Sequence, residues 1–158
     1  MQIRSFREGD APVLRAVFYS SVHALASQHY SREQLNAWAP HAYDATQWAE
    51  RLRRNQPFIA EIDGRIAGFA DLQASGYIDH FFVAGASAGR GVARALMAHI
   101  HEDAARRRIS ELFANVSLTA EPFFAKSGFV VEARQRVEVR GVVLANARMR
   151  KMLPAARF

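Results

Sequence analysis

Cysteine is absent from this 158-residue chain. Its absence excludes disulfide bonds, thiolate metal sites and a cysteine that would carry an acyl group. Any acyl transfer by this chain must therefore run directly from donor to acceptor, or use a nucleophile other than a thiol.

Long hydrophobic runs are missing as well. No stretch of about eighteen apolar residues exists, and Arg4, Arg7, Glu8 and Asp10 interrupt the N-terminal segment. The pattern predicts neither a membrane span nor a signal peptide, so we expect a cytoplasmic protein. The residues are 50% hydrophobic and 23% charged, which is typical of a globular chain, and the length fits a single domain over residues 1–158.

Lysine is scarce, since Lys126 and Lys151 are the only two, and the formal net charge of +6 therefore comes from arginine. The arginines are scattered along the chain, at Arg51, Arg53, Arg54, Arg106, Arg107, Arg108, Arg134, Arg136 and Arg140 among other positions. Scattered charge is more typical of a solvated surface than of a nucleic-acid stripe, and no recognition module accompanies it. Binding of nucleic acid is thus the weaker explanation of the basic charge.

The stretch from Tyr77 to Arg108 contains most of the functional signal. Tyr77–Val83 is rich in aromatic and β-branched residues and lies between glycines, which predicts a mostly buried strand. From Gly91 onward apolar residues recur at three- and four-residue steps, which predicts an amphipathic helix. A loop of small residues, AGASAGRG, joins the strand to the helix.

This loop has the composition of an anion site. The first N–H groups of a helix lack partners within the helix and carry partial positive charge, which suits a phosphate. Gly89 and Gly91 remove the Cβ atoms that would block a ligand, and Arg90 and Arg94, one helical turn apart, can flank a pyrophosphate.

Three named motifs compete for the same loop, and each fails. Gly85–Gly89 satisfies G-x-S-x-G, but the hydrolase base would be a histidine after the acid, and no histidine follows His101. The dinucleotide fingerprint fails because Arg94 stands where a third small residue belongs. A P-loop Gly-Lys-Ser/Thr does not occur.

Two segments match the motifs of a known family. The first is Val83–Ala98, VAGASAGRGVARALMA. It resembles the acetyl-CoA loop of the GNAT superfamily of N-acetyltransferases, in which a strand is followed by Gln/Arg-x-x-Gly-x-Gly/Ala and a helix. The signature falls on residues 88–93: Gly91 and Ala93 match, and Ala88 stands where Gln or Arg is usual.

The second segment is Ser117–Phe129, SLTAEPFFAKSGF. It resembles the family's Asn-x-x-Ala-x-x-x-Tyr signature followed by Gly-Phe. Ala120, Gly128 and Phe129 match, whereas Ser117 replaces the Asn. Phe124 replaces the Tyr that many members use to protonate the departing thiol.

The resemblance covers almost the whole chain and implies an α/β (α+β) fold. In that fold a mixed central sheet, flanked by helices, contains two parallel strands that splay apart, and the pantetheine arm of acetyl-CoA lies between them. Here the splayed strands would be Tyr77–Val83 and Leu112–Val116. The highly anionic CoA also accounts for the basic charge, and no metal is implied. The implied CoA-binding residues are Phe81, Phe82, Val83, Ala88, Gly89, Arg90, Gly91, Val92, Ala93, Arg94, Ser117, Ala120, Phe123 and Phe124.

The rest of the chain predicts a first strand, then helices, and hairpins on either side of the central strand. Asp10 is a candidate N-cap of a first helix, and Ser31–Gln34 and Asp44–Gln47 have the pattern of capping boxes. Asp63-Gly64 and Arg140-Gly141 predict the turns of two hairpins. The predicted strands are residues 1–7, 58–62, 66–72, 130–140 and 142–152, and a short helix opens near residue 119.

The candidate catalytic residues lie on the central strand. An acceptor amine with a pKa near 10 is only about one part in a thousand neutral at pH 7, so a group must take its proton. Strand alternation places Asp79 on one face and His80 on the other, and either is a candidate base. An Asp-His pair that only satisfies two buried polar groups is an equal alternative. With Phe124 in place of Tyr, solvent, the amine's own proton, Tyr77 or Tyr30 would protonate the thiolate.

The sequence therefore predicts a GNAT-type acyltransferase that moves acetyl from acetyl-CoA, its co-substrate, to a primary amine. The acceptor is a small molecule or a protein amine, and a homodimer is compatible with the sequence. The substitutions at Ala88 and Phe124 leave a catalytically silent CoA-binding module as the first alternative.

Overall fold

The computed structural model describes residues 1–154 of the chain. Seven strands and five α-helices are named in chain order: β1 (Gln2–Ser5), α1 (Ala11–Ser20), α2 (Arg32–Trp38), α3 (Ala45–Asn55), β2 (Phe58–Ile62), β3 (Arg65–Ala70), β4 (Phe81–Val83), α4 (Val92–Arg106), β5 (Glu111–Ser117), α5 (Glu121–Lys126), β6 (Val130–Val139) and β7 (Val142–Met152). Within residues 1–154, no helix has the length and apolar character needed to cross a bilayer.

The strands form two antiparallel sheets. The first has the order β1-β2-β3-β4, and the second has the order β5-β7-β6. The hairpin turns fall where the sequence predicts them, and in each turn both residues have positive φ: 52° and 76° at Asp63-Gly64, and 47° and 79° at Arg140-Gly141. Such backbone angles match the twist of a tight hairpin, which is why Asp-Gly and similar pairs favour it.

The two sheets meet where β4 and β5 diverge. Just before β4, Tyr77 forms an isolated parallel bridge with Phe113 of β5, in which the Ile78 N–H donates to the Phe113 carbonyl at 2.9 Å. Beyond it the strands separate around a narrow cleft of about 60 Å³. The fold is thus the predicted α+β arrangement with splayed parallel strands.

The strand predicted at Tyr77–Val83 is interrupted, and only Phe81–Val83 forms regular β-structure. The cause is Asp71, which follows β3 and is completely buried. Its carboxylate accepts the N–H of Asp79 at 2.8 Å and of His80 at 3.0 Å, where a regular ladder would offer a backbone carbonyl. The ladder resumes when the Asp71 N–H donates to the His80 carbonyl at 3.1 Å.

The helix caps differ in part from expectation. At α2 the predicted capping box forms, since Ser31 and Gln34 exchange hydrogen bonds of 2.8 and 3.2 Å. At α3 only half of the box is present, because Asp44 accepts the Gln47 N–H at 3.0 Å without a returning bond. Asp10 is the N-cap residue of α1, as predicted, but its carboxylate binds the Arg4 guanidinium and the Arg7 N–H and makes no capping bond to the helix.

Helices cover both faces of the first sheet. Helix α4 buries Val92, Leu96 and Ile100 in one apolar cluster with β5 and β7. The other cluster contains α1, the π-helical turn Ser21–Leu25 that continues it, and parts of α2 and α3.

Candidate active site

The loop from Ala84 to Gly91 connects β4 to α4 and has the predicted open backbone. After a 3₁₀ turn at Gly85–Ser87, the φ angles of Gly89 and Gly91 are 77° and 82°. An added Cβ at either glycine would meet no atom within 4 Å, so both face open space. The first N–H groups of the fifteen-residue α4 thus point to a concave surface that a ligand can approach.

A cavity of about 750 Å³ lies against this loop, and we call it the donor cavity. Most of the residues that the sequence assigns to CoA line it: Phe81, Phe82, Val83, Ala88, Gly89, Gly91, Val92, Ala93, Arg94, Ser117, Ala120 and Phe123. Arg90 is exposed outside the lining, and Phe124 is buried against Phe81, Phe123 and Phe129. Phe124 instead closes the cleft between β4 and β5.

Sequence reasoning missed the wall of the donor cavity opposite the loop. Ser21, Val22 and Leu25 of the π-helical turn contribute to it, together with Trp38 at the end of α2. A π-turn has no reliable sequence pattern, so only the folded chain shows this wall.

The backbone of β4 offers unpaired groups to the cleft. The Ala84 N–H donates to Ala67 at 2.8 Å and the Asp71 N–H to His80 at 3.1 Å, so residues 80, 82 and 84 exchange hydrogen bonds with β3 and its extension. Because such bonds alternate along an antiparallel strand, the N–H groups of Phe81 and Val83 face away from β3, towards β5. An extended ligand in the cleft can accept them.

A polar cluster lies beside the cleft and contains Asp79, His80, Asp71, Arg51 and Asn55. Arg51 donates to both oxygens of Asp79, at 2.9 and 2.7 Å, and Asn55 donates to the same carboxylate at 2.7 Å. His80 Nε2 lies 3.8 Å from Asp79 Oδ2, and its Nδ1 lies 3.6 Å from Asp71 Oδ2 without a hydrogen-bond partner in residues 1–154.

Asp79 and His80 therefore lie together, although strand alternation predicted that they would occupy opposite faces. The two N–H groups held by Asp71 bend the chain at this point, and both side chains line one cavity. The prediction of opposite faces was wrong because it assumed an unbroken strand.

Burial and neighbouring charges separate the protonation states of the cluster. Burial lowers the pKa of His80 to about 4, so its imidazole is neutral at pH 7. Burial also raises the pKa of Asp71 to about 6. For Asp79 burial alone would raise the pKa, but the hydrogen bonds from Arg51 and Asn55 and the neighbouring charges together outweigh it and hold the pKa below the usual value. Asp79 is thus a carboxylate at neutral pH.

A second cavity of about 520 Å³ lies on the other side of the cluster, and we call it the acceptor cavity. Asp79 and His80 line it, together with residues of α1, α3 and the β6–β7 turn. Trp38 and Phe82 line both the acceptor cavity and the donor cavity, and their ring centroids are 6.3 Å apart. The two cavities therefore meet at these two rings.

The two candidate tyrosines have different surroundings. The Tyr30 hydroxyl donates to the Ala145 carbonyl at 2.6 Å and accepts the Leu118 N–H at 3.0 Å, so its proton is engaged in the structure. The Tyr77 hydroxyl lies 3.5 Å from the Asn115 amide nitrogen, in a small cavity that Asp79 also lines. Burial raises the pKa of Tyr77, which keeps its phenol protonated.

Asp71, Asp79 and His80 also have ligand atoms within 4.8 Å of one another, the spacing of a metal site. The carboxylate oxygens, however, already accept N–H groups from Arg51, Asn55 and the backbone. A cation here would have to displace the Arg51 guanidinium, so the donor set does not suit a metal.

Comparison with known proteins agrees with this geometry. A family model described as an acetyltransferase (GNAT) domain matches residues 26–152. The chain belongs to the GNAT acetyltransferases. It is therefore an acyltransferase of a family that acylates amines.

Individual GNAT relatives match nearly the full length. An uncharacterized N-acetyltransferase of Escherichia coli, YafP, is 39% identical over 150 residues, which is 95% of each chain. A GCN5-related N-acetyltransferase from Rhodopseudomonas palustris is 36% identical with a TM-score of 0.92, over 96% of this chain and 95% of that one. The PaiA N-acetyltransferase of Thermoplasma acidophilum, solved with coenzyme A, shares the fold at 18% identity and a TM-score of 0.74, over 96% and 98%.

Proposed function

We propose that this GNAT protein transfers an acetyl group directly from acetyl-CoA to the primary amine of an acceptor. The observation that supports it most is the meeting of two cavities at Trp38 and Phe82, with the ionised Asp79 beside the junction. The loop at one cavity suits an anion, and Asp79 in the other suits the role of a proton acceptor.

Successive regions of the donor cavity suit successive parts of CoA, from the diphosphate to the thioester. The diphosphate lies at the amino end of α4, where the loop N–H groups and Arg94 bind it. The pantetheine arm follows β4 and accepts the N–H groups that face the cleft. Of these, the N–H of Val83 lies in place to bind the thioester oxygen as it gains negative charge, which stabilises the transition state more than the substrate.

Asp79 is the group that best fits the proton acceptor. It lines the acceptor cavity, the cleft and the small cavity beside Tyr77, whereas His80 lines only the acceptor cavity. Its carboxylate takes the proton of the amine, directly or through water, as the nitrogen attacks. His80 stays neutral, with its Nε2 3.8 Å from Asp79 Oδ2, while the hydrogen bonds from Arg51 and Asn55 orient the carboxylate.

The departing thiolate needs little help, because a thiol has a pKa of about 8.5. Phe124 offers no proton and is buried. Among the tyrosines, Tyr77 is the better donor, because the Tyr30 proton is bound to a backbone carbonyl.

The test is release of CoASH from acetyl-CoA with a panel of primary amines, read with a thiol reagent. Because the chain has no cysteine, the protein adds no background to the signal. Asp79→Asn should lower kcat by at least about 100-fold, the scale of general base catalysis, while calorimetry shows unchanged CoA affinity.

His80→Asn is the companion variant and should lower kcat less than Asp79→Asn. Heat of CoA binding without thiol release from any amine would favour the silent binding module. Absence of any heat with CoA would refute the proposal altogether.

A further inference from the structure

The acceptor cavity contains a buried cation, Arg15. Its side chain is 8% exposed, and its guanidinium donates to the Pro40 carbonyl at 2.6 Å. The guanidinium carbon also lies 5.0, 4.3 and 5.4 Å from the ring centroids of Phe18, Tyr43 and Trp48. Arg15 is thus fixed by aromatic rings and one carbonyl, with its charge directed into the cavity that these rings line.

A second arginine, Arg140, enters the same cavity from the β6–β7 turn. It donates to the Ala37 carbonyl at 2.8 Å, which holds its side chain over α2. Burial lowers the pKa of Arg15, and the positive charge of Arg140 lowers it further, so the two guanidinium groups repel each other. Neither forms an ion pair with a carboxylate of residues 1–154.

The other charges of the cavity do not balance this pair. Asp79 is already neutralised by the two hydrogen bonds of Arg51. Asp44 and Glu50 are exposed at the rim, and Asp44 is engaged as the cap of α3. A buried cation without a counterion is costly, and a second cation beside it adds to the cost. An anion that binds between Arg15 and Arg140 would remove this cost.

We propose that the acceptor is a small amine that also bears an oxyanion, a carboxylate or a phosphonate, which binds between Arg15 and Arg140. Guanidinium groups suit both oxyanions because their N–H groups form paired hydrogen bonds. Trp48 contacts both ends of the site: its ring centroid lies 5.4 Å from the Arg15 guanidinium carbon and 5.4 Å from the His80 ring. One indole thus contacts both the oxyanion site and His80, so a small acceptor lies within reach of both.

This inference rests on the proposed acetyl transfer and specifies its substrate class. The first test compares matched acceptors at equal concentration: an α-amino acid, its carboxamide, the decarboxylated amine and the aminophosphonate analogue, over a series of side chains. The oxyanion-bearing members should give kcat/KM values at least about tenfold above their neutral partners, the scale of a lost charged hydrogen bond. The ratio of carboxylate to phosphonate identifies which oxyanion the site prefers.

The second test removes the arginines. Arg140→Gln is exposed and should fold normally, and Arg15→Met retains an apolar stem against the rings. Each should raise KM for the oxyanion-bearing acceptor by about tenfold and reduce its advantage over the carboxamide, with kcat changed little. Arg65→Gln, at the exposed start of β3 outside both cavities, removes the same charge and should leave the preference intact.

The outcomes separate the two proposals. If CoA binds and thiol is released equally from amino acids and their carboxamides, the oxyanion inference is wrong while the transferase proposal stands. If no panel member releases thiol, calorimetry with CoA-saturated protein decides: tighter binding of amino acids than of their carboxamides supports the inference, and equal or absent binding overturns it. Loss of CoA binding itself refutes the transferase proposal.

Discussion

Arg51 on α3 holds Asp79 through two hydrogen bonds, from Nε to Oδ2 at 2.9 Å and from Nη2 to Oδ1 at 2.7 Å. The Arg51 side chain is 48% exposed and the Asp79 side chain 15% exposed, so the pair sits at the inner edge of the acceptor cavity. The contact links a surface helix to the interrupted strand and sets the charge of the proposed proton acceptor.

Replacing Arg51 should alter the pH dependence of the reaction. Arg51 lowers the pKa of Asp79, so in Arg51→Gln that pKa rises and the carboxylate is protonated at a higher pH. We expect the acid limb of the kcat/KM profile to move to higher pH. The matched control is Arg53→Gln. Arg53 lies on the same helix as Arg51, and its replacement removes only an exposed ion pair with Glu8. An unmoved acid limb would show that Asp79 does not accept the proton.

Asp71→Asn should lower stability, because one of the two N–H groups held by the carboxylate would face an NH₂ group. An unsatisfied buried N–H costs about 1–3 kcal/mol, which chemical denaturation measures as a lower free energy of unfolding. The control is Glu102→Gln, which replaces an exposed carboxyl on α4 and should change the free energy of unfolding little. A value equal to the wild type would mean that Asp71 does not hold the bend.

Asp71 and His80 should also act oppositely on the pH dependence of stability. The His80 pKa falls from 6.5 to about 4 on folding, so its contribution is full above pH 6.5 and is lost as the pH falls towards 4. The Asp71 pKa rises from 3.8 to about 6, so its contribution is full below pH 3.8 and is lost as the pH rises through about 6. The two effects offset each other in the wild type between about pH 4 and 6.

Replacing either Asp71 or His80 should therefore reveal the pH dependence of stability that the other residue contributes. On acidification from pH 7 to 4.5, Asp71→Asn should lose free energy of unfolding more steeply than the wild type, and His80→Asn less steeply. Denaturant titrations at several pH values measure these slopes. Equal slopes in the two variants would contradict the assigned pKa directions.

Arg94 and Arg90 form a matched pair at the start of α4. Arg94 lines the donor cavity and Arg90 does not, although the sequence assigned both to the pyrophosphate. Arg94→Gln should weaken CoA binding about tenfold, the scale of a charge-assisted hydrogen bond, and Arg90→Gln should weaken it less. Pantetheine, which lacks the phosphates, should bind both variants like the wild type. Equal losses for CoA and pantetheine would refute the phosphate role.

Gly68 on β3 permits the close approach of β4 and α4. A Cβ there would lie 2.9 Å from the Phe82 carbonyl oxygen and 2.8 Å from Val92 Cγ1, both closer than normal contacts. Gly68→Ala should cost about 1–3 kcal/mol of stability and weaken CoA binding, since Phe82 and Val92 line the donor cavity. Gly9→Ala, with no atom within 4 Å of the added Cβ, is the control. Unchanged CoA affinity in Gly68→Ala would show that the cavity does not depend on this spacing.

Features governed by neighbouring residues were predictable. Asp63-Gly64 and Arg140-Gly141 determine their hairpins because the required backbone angles depend on the turn residues themselves. The same holds for the loop with Gly89 and Gly91, whose open backbone follows from the missing Cβ atoms.

The sequence by itself thus determined the family, the order of most elements and the open backbone of the loop before α4, because these depend on local patterns. Only the tertiary structure decided how the site is built. Arg51 is 28 residues from Asp79 along the chain, yet it helps to lower the pKa of that carboxyl, and Asp71, eight residues away, accepts the Asp79 N–H in place of a regular ladder. The pairing of Arg15 with Arg140 likewise depends on long-range packing, and burial, which shifts each pKa and leaves these cations without counterions, exists only once the chain has folded.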